Sequence, residues 1–220
     1  MSDSWSEVDL VLTTIVDTCL ANEKYFGDLD SVVGDGDFGY SLARGFEKLK
    51  AQYGELDRTD IGTFLKRVGM LVTSRIGGTS GPIWGTGFLR AGMTAGTTTS
   101  LDGPTVVAML RSAIAGIMAR GSAELGDKTL LDALVPMTDA IEAAVAEGLS
   151  SAEVAARAAV AARSAADATI DMVARRGRAA YTGERSRGSV DAGATAVAVL
   201  MEQIAASWQL LIAEKGRASE

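Results

Sequence analysis

An all-α fold in a single domain, residues 1–220, is what this sequence predicts, and three observations predict it. Apolar residues recur at three- and four-residue spacing along nearly the whole chain. No segment shows the apolar–polar alternation of a half-buried strand, and no low-complexity linker or internal repeat divides the chain. Hydrophobic residues make up 47% and charged residues 22%, enough apolar surface over 220 residues to close a core without staples.

In chain order, Trp5, Val8, Leu12, Ile15 and Cys19 form the first apolar stripe, in which Cys19 reads as a small buried hydrophobe. Leu29–Val33 reads as a short extended piece. Leu42, Phe46 and Leu49 mark the next helix, and Ile61, Phe64, Leu65, Val68 and Val72 the one after it. Pro82 opens a helix reaching about Ala95, and Pro104 opens the one carrying Val106, Leu110, Ile114 and Ile117, since proline in a first turn loses only an N–H that has no partner there. Leu130, Leu134, Met137 and Ile141 form a further stripe, with Asp127 as its expected cap and Pro136 as an expected kink. Ser150 and Glu153 have the spacing of a capping box ahead of an alanine-rich run to about Arg176, with Gly177 as its stop. Val197, Leu200, Met201, Ile204, Trp208 and Leu211 complete a count of about eight helices.

Composition excludes several functions. With 21 basic against 28 acidic residues the net charge is −7, which argues against a general nucleic-acid or anionic-membrane binder. A phosphate-bearing ligand must therefore be met by local positive features. There is no histidine, so the chain alone cannot build a Ser-His-Asp or Cys-His site, a His-assisted zinc site or a phosphohistidine relay. One cysteine precludes an intrachain disulfide. No basic flank precedes an apolar run at the N-terminus, and no run reaches the roughly 18 apolar residues of a bilayer span, so a cytoplasmic address with no membrane contact is expected.

Four irregular stretches, Asp28–Tyr40, Gly77–Thr86, Gly121–Thr129 and Arg175–Ala194, concentrate Gly, Asp, Thr, Ser and Arg. The first, DLDSVVGDGDFGY, packs carboxylates at Asp28, Asp30, Asp35 and Asp37, which repel one another unless a cation joins them. Only oxygen ligands are on offer, which indicates Mg2+, Ca2+ or Mn2+ over Zn2+. The spacing fits no EF-hand, and a solvated turn with capping aspartates is the plain alternative. The formal G-x-G-x-x-G of Gly34–Gly39 is no dinucleotide fingerprint, because two aspartates there would repel a pyrophosphate and the βαβ setting is missing. In the second stretch, Thr79, Ser80 and Gly81 stand where a helix N-terminus favours phosphate, without the Lys-Ser/Thr of a P-loop or the G-x-S-x-G of an esterase. The fourth gathers Arg175, Arg176, Arg178, Arg185 and Arg187, residues suited to bidentate phosphate binding or to a solvated face. A carboxylate cluster, a helix N-terminus and an arginine loop are together the parts of a phosphoryl-transfer site.

The strings VGDGDFGYSLARGF, GGTSGPIWGTGFLRAG, GDKTLLDALVP and ARRGRAAYTGERSRGSVDAGAT, in that order, resemble the DhaL family, the nucleotide-binding L subunit of dihydroxyacetone kinases. The resemblance implies an eight-helix antiparallel barrel with a nucleotide site at one end. It implies ADP or ATP held through two Mg2+ ions, with Asp30, Asp35 and Asp37 as metal ligands. Phe38, Gly39, Tyr40, Ser41, Thr79, Ser80 and Arg178 match phosphate positions, while Gly121, Leu130 and Asp191-Ala192-Gly193 match positions around the nucleoside. Two divalent ions against three aspartates leave about one net positive charge for a polyphosphate.

The family usually has histidine at the position of Phe38, often histidine at that of Ser189, proline at that of Ala192 and methionine at that of Leu130. A backbone N–H at Phe38 can still serve a phosphate. No side chain of this chain is assigned a covalent catalytic role. The implied partners are a K-type subunit holding dihydroxyacetone or a related short ketose on a histidine, and a second copy in a homodimer. The donor is either exchanging ATP or a resident ADP recharged by a phosphohistidine protein of the phosphotransferase system. A non-catalytic nucleotide-binding regulator and a lipid-binding barrel of the same type are the alternatives.

Overall fold

The computed structural model describes residues 4–217. Among these, nine α-helices and no strand are found: α1 (Ser4–Ala21), α2 (Glu23–Ser31), α3 (Phe38–Gln52), α4 (Ile61–Arg75), α5 (Ser80–Ala95), α6 (Gly103–Gly121), α7 (Leu131–Ala146), α8 (Ser151–Ala168) and α9 (Ala192–Arg217). Short 3-10 turns occupy Tyr53–Glu55, Thr169–Asp171 and Arg178–Ser186, the last interrupted at Gly183. The six predicted apolar stripes lie on α1, α3, α4, α6, α7 and α9, the alanine-rich run on α8, and the proline-opened α5 makes the eighth of the expected set. In that set each helix packs on the next and α9 packs back on α1, so the contacts close a ring while α2 rests on α3.

Three apolar clusters fill the ring, two of them large. Val8, Leu12 and Val16 of α1 meet Leu42, Phe46 and Leu49 of α3 and Phe64, Val68 and Val72 of α4. Ala155, Ala158, Ala159, Ala162 and Ala166 of α8 meet Ala194, Val197, Ala198 and Met201 of α9 and Met137 and Ile141 of α7. The alanine face lets α8 approach α9 closely, and the Arg163 guanidinium fixes their register by donating to both oxygens of Glu202 at 2.7 and 2.9 Å. Trp84 of α5, partly buried, packs against both large clusters. Cys19 is fully buried, as its stripe requires, and burial pushes its thiol far above the ordinary range.

Several local expectations are corrected. Leu29–Val33 is not extended: α2 runs to Ser31 and a turn follows. Only Phe26 of α2 is buried, so the helix lacks the apolar stripe by which the others are legible. It holds its place through Gly39, where a Cβ would stand 1.9 Å from the Glu23 carbonyl oxygen and 2.6 Å from the Gly27 nitrogen. Both atoms are backbone and cannot yield, so Gly39→Ala should destabilise the fold by about 3 kcal/mol, read as a lower urea midpoint. The capping box at Ser150 and Glu153 forms, but α8 ends at Ala168 and not near Arg176. There Thr169 turns its hydroxyl back onto the Ala166 carbonyl and accepts the Asp191 N–H, which replaces helical pairing with a crosslink. Gly177, at φ 65°, then precedes the 3-10 turn instead of stopping a helix.

Pro82 lies in the first turn of α5, which starts two residues earlier at Ser80, and α7 continues through Pro136. Ala192–Glu214 of α9 is long and apolar enough by composition to cross a membrane, contrary to the expectation that no segment is. Its inner face belongs to the core clusters and its Glu202 to the Arg163 pair.

Candidate metal and phosphate site

The end of α2, the turn after it and the start of α3 place three carboxylates together. Oxygens of Asp30, Asp35 and Asp37 lie within 4.8 Å of one another. The Gly34 N–H donates to the Asp30 carbonyl at 2.6 Å, and Gly36 takes φ 76°, so the chain reverses tightly between Asp30 and Asp37. A Cβ on Gly34 would stand 2.2 Å from Asp30 Oδ1, in the space the carboxylate occupies. Asp37 holds the N-cap position of α3, yet its side chain makes no cap bond. The plain reading of capping aspartates therefore fails at Asp37, and this carboxylate stays with the cluster.

Like charges this close need a cation. In this structure Arg178 provides it, its guanidinium contacting Asp35 closely and lying 3.7 Å from Asp37. The donor set is all oxygen, open to solvent at Asp35 and Asp37, and suits a hard divalent ion. The Phe38 N–H points to Asp30 Oδ2 at 3.4 Å, and its ring packs beside Phe26 with centroids 6.2 Å apart. Phe38 thus gives the site a main-chain donor and gives its side chain to the core. Gly39 and Tyr40, in the first turn of α3, have no carbonyl of their own helix to bind.

A second helix start adjoins the first. Thr79 is the N-cap residue of α5 and Ser80 its first residue, and Thr79 spends no side-chain bond on the cap. A Cβ on Gly77 would lie 3.4 Å from Ser41 Oγ, which puts the glycine turn beside α3. The turn that leads into α5 thus lies beside the first turns of α3, the helix whose start carries the carboxylates, and each helix start offers a dipole and free N–H groups.

The first turn of α5 leads on to an apolar wall. A Cβ on Gly121, at the end of α6, would touch Ile83 Cδ1 at 3.2 Å. Ile83 and Leu130 share one cluster with Ile114, Ile117 and Leu131. A Cβ on Gly193 would lie 3.3 Å from the Leu130 Cβ and 3.1 Å from Asp191 Oδ2. Asp191 caps α9 by accepting the Ala194 N–H at 2.7 Å, with Ala192 and Gly193 in the first turn. Burial pushes the Asp191 carboxyl up to about 7, and the nearby Asp132 adds to the rise.

The predicted residues therefore gather as two neighbouring groups joined by α5. The arginine cluster does not gather: Arg176 pairs with Asp127 at 2.9 Å and Arg187 with Glu184 at 3.4 Å, leaving Arg178 on the carboxylates. Asp127 is not the cap of α7, whose N-cap position is Leu130. It accepts the Glu124 N–H and the Arg176 guanidinium, and although burial acts to raise its carboxyl, these partners hold it below the ordinary range. Asp132 takes the turn in its place, accepting N–H groups of Gly126 at 2.5 Å and Thr129 at 2.7 Å. Sequence reasoning missed Ile83, Asp132 and Lys128. An acid inside the apolar Leu130–Leu134 run was a signal for Asp132, whereas nothing in the periodicity marked Lys128.

Comparison with known proteins gives the site a context. Residues 32–206 match the family model described as DAK2 domain. The chain is 38% identical over 205 residues to the PEP-dependent dihydroxyacetone kinase, ADP-binding subunit DhaL, of Escherichia coli, covering 93% of this chain and 98% of the relative. It is 36% identical over 207 residues to an L-erythrulose kinase of Pectobacterium atrosepticum, covering 90% of this chain but 34% of that longer one. Among solved structures, the dihydroxyacetone kinase from C. freundii in complex with AMP-PNP and Mg2+ superposes with a TM-score of 0.68 at 27% identity, covering 93% of this chain and 33% of that chain.

Proposed function

This chain belongs to the DAK2 domain family, and from that premise we propose that it is the ADP- or ATP-binding L subunit of a kinase for dihydroxyacetone or a related short ketose. The observation that carries the reading is the convergence of Asp30, Asp35 and Asp37 within 4.8 Å beside the N-termini of α3 and α5. That constellation is built for a metal-bound polyphosphate, and the relatives named as kinase subunits favour it over a non-catalytic or lipid-binding barrel. The eight helices closing in a ring support the antiparallel barrel, and the whole of residues 1–220 reads as one such domain.

Asp30, Asp35 and Asp37 would hold two Mg2+ ions, which supply charge neutralisation at the phosphates when bound. The protein's own share is positional. Backbone N–H groups of Gly39, Tyr40 and Ser80, with the hydroxyls of Ser41, Thr79 and Ser80, hold phosphate oxygens, and the Phe38 N–H, which reaches Asp30 here at 3.4 Å, adjoins them. Arg178, which pairs with Asp35 and Asp37 here, would be free to turn to the phosphates once a metal is held by those carboxylates. Gly121, Leu130 and the Asp191-Ala192-Gly193 turn take the nucleoside, where the absence of side chains at Gly121 and Gly193 leaves room. The acceptor hydroxyl comes from a K-type subunit, since this chain has no histidine to hold a ketose. The donor is exchanging ATP or a phosphohistidine protein of the phosphotransferase system recharging resident ADP. A homodimer in the cytoplasm completes the reading.

Metal and nucleotide binding should be coupled. Calorimetry is expected to show ADP binding with Mg2+ and binding at least about tenfold weaker in EDTA, because the bare carboxylates repel phosphate. Equal affinity in both would remove the aspartate loop from the site.

A further inference from the structure

One buried charge has no part in that scheme. Lys128 is 2% exposed and sits in left-handed backbone at φ 61°. Its ammonium donates to the carbonyl oxygens of Met172 at 3.1 Å, of Ser189 at 2.7 Å and of Ser186. A lysine ammonium has three N–H donors and no acceptor, so every donor is used inside the protein. A lysine acting as base or nucleophile needs a free lone pair and access to substrate, and Lys128 offers neither. Its three acceptors are the two ends of the 172–189 loop and the last residue of the 3-10 turn within it.

That loop needs such an anchor. Only Ala174 and Ser186 are buried among residues 172–189, and Tyr181 is 91% exposed, so little apolar contact holds it. Apart from the Arg178 pair with Asp35 and Asp37, its main ties run to the same place or across its own neck. The Arg175 N–H donates to the Asp127 carbonyl at 3.0 Å, Arg176 Nε to the Asp127 carboxylate at 2.9 Å, and the Gly188 N–H to the Ile170 carbonyl at 2.8 Å. The loop carries Arg178 out to Asp35 and Asp37 and ends beside Asp191. Burial, with the charge of Arg187, lowers the ammonium's proton affinity and the charge of Asp191 opposes this only in part, while the three carbonyls, which can only accept, pair with the charged form.

We propose that Lys128 is a positioning residue whose ammonium fastens the 172–189 loop to the α6–α7 connection, making the loop a clamp that holds Arg178 and Asp191 against a bound nucleoside polyphosphate. This rests on the nucleotide site described above and adds what sets the nucleotide's residence time.

The test compares the full chain with Lys128→Met, which keeps the stem and removes the donors. In metal- and nucleotide-free protein, amide exchange over 172–189 should rise by about tenfold or more while α4 is unchanged. Release of Mg-ADP should accelerate by about tenfold or more with association changed by less than about threefold, because an opened clamp affects departure more than entry. In the unmodified, 15N-lysine-labelled protein the Lys128 ammonium protons should exchange about tenfold more slowly than those of surface lysines. Unchanged loop exchange, or unchanged release in Lys128→Met, overturns the clamp while leaving the nucleotide site standing. Failure of the unmodified protein to bind Mg-ADP overturns the functional reading and the clamp with it. If Lys128→Met does not fold, the unmodified protein decides: ammonium exchange as fast as at surface lysines, or Mg-ADP that leaves 172–189 unprotected, overturns the proposal.

Discussion

Asp35→Asn is expected to leave the helical ring intact and to lower turnover of the reconstituted kinase by about a thousandfold, the equivalent of about 4 kcal/mol of transition-state stabilisation. The fold should survive because, among the described residues, the Asp35 side chain pairs with Arg178 alone, in an ion pair whose side chains are 57% and 39% exposed. Exposed pairs contribute about 0–1 kcal/mol. Function should not survive, because the asparagine amide replaces an anionic oxygen in a cluster of three whose charge is what attracts a hard cation. Circular dichroism and a coupled turnover assay with a K-type partner check both halves. Turnover within about tenfold of the parent would take Asp35 out of the metal set.

The isolated chain, given Mg-ATP and dihydroxyacetone, should show no turnover above background, and adding a K-type partner should restore it, with a phosphohistidine donor supplied if ATP fails. Phosphoryl transfer gains most of its rate from an acceptor hydroxyl held in line with the transferring group, and effective molarities for such positioning reach about 10⁵ M or more. This chain supplies carboxylates, N-terminal dipoles and Arg178, and the proposed function puts all of them on the phosphate side of the reaction. With no histidine it cannot itself hold a ketose as a histidine adduct, the task the proposed function gives to the K-type subunit. Enzyme-like phosphorylation by the chain alone would break the division of labour between subunits. Failure of every K-type partner with either donor would break the assignment itself.

The local chemistry of this protein was legible in one dimension. Periodic apolar residues specify six of the helices because a helix must bury a stripe, and the stripe is written at three- and four-residue spacing whatever it packs against. The carboxylates of Asp30, Asp35 and Asp37 are close in sequence, so a single turn brings them together, and Thr79 and Ser80 stand beside a proline that marks a helix start. Where the determinant was tertiary, the sequence misled. Helix α2 has no stripe of its own and is held by the contact of Gly39 with Glu23 and Gly27. The alanine run of α8 could have continued past Ala168, but Thr169 is claimed by Asp191, more than twenty residues away. Five arginines read as one cluster, yet Asp127 takes Arg176 and Glu184 takes Arg187, so only Arg178 reaches the carboxylates. Lys128 carries no periodic mark at all, and its role exists only because folding brings the carbonyls of Met172, Ser186 and Ser189 to one nitrogen. Composition and spacing decided that this chain is helical and which carboxylates and helix starts are neighbours. Which charge pairs with which, and what holds the loop over the site, was decided by tertiary contacts, because a buried charge takes whatever partner the fold brings within hydrogen-bonding reach.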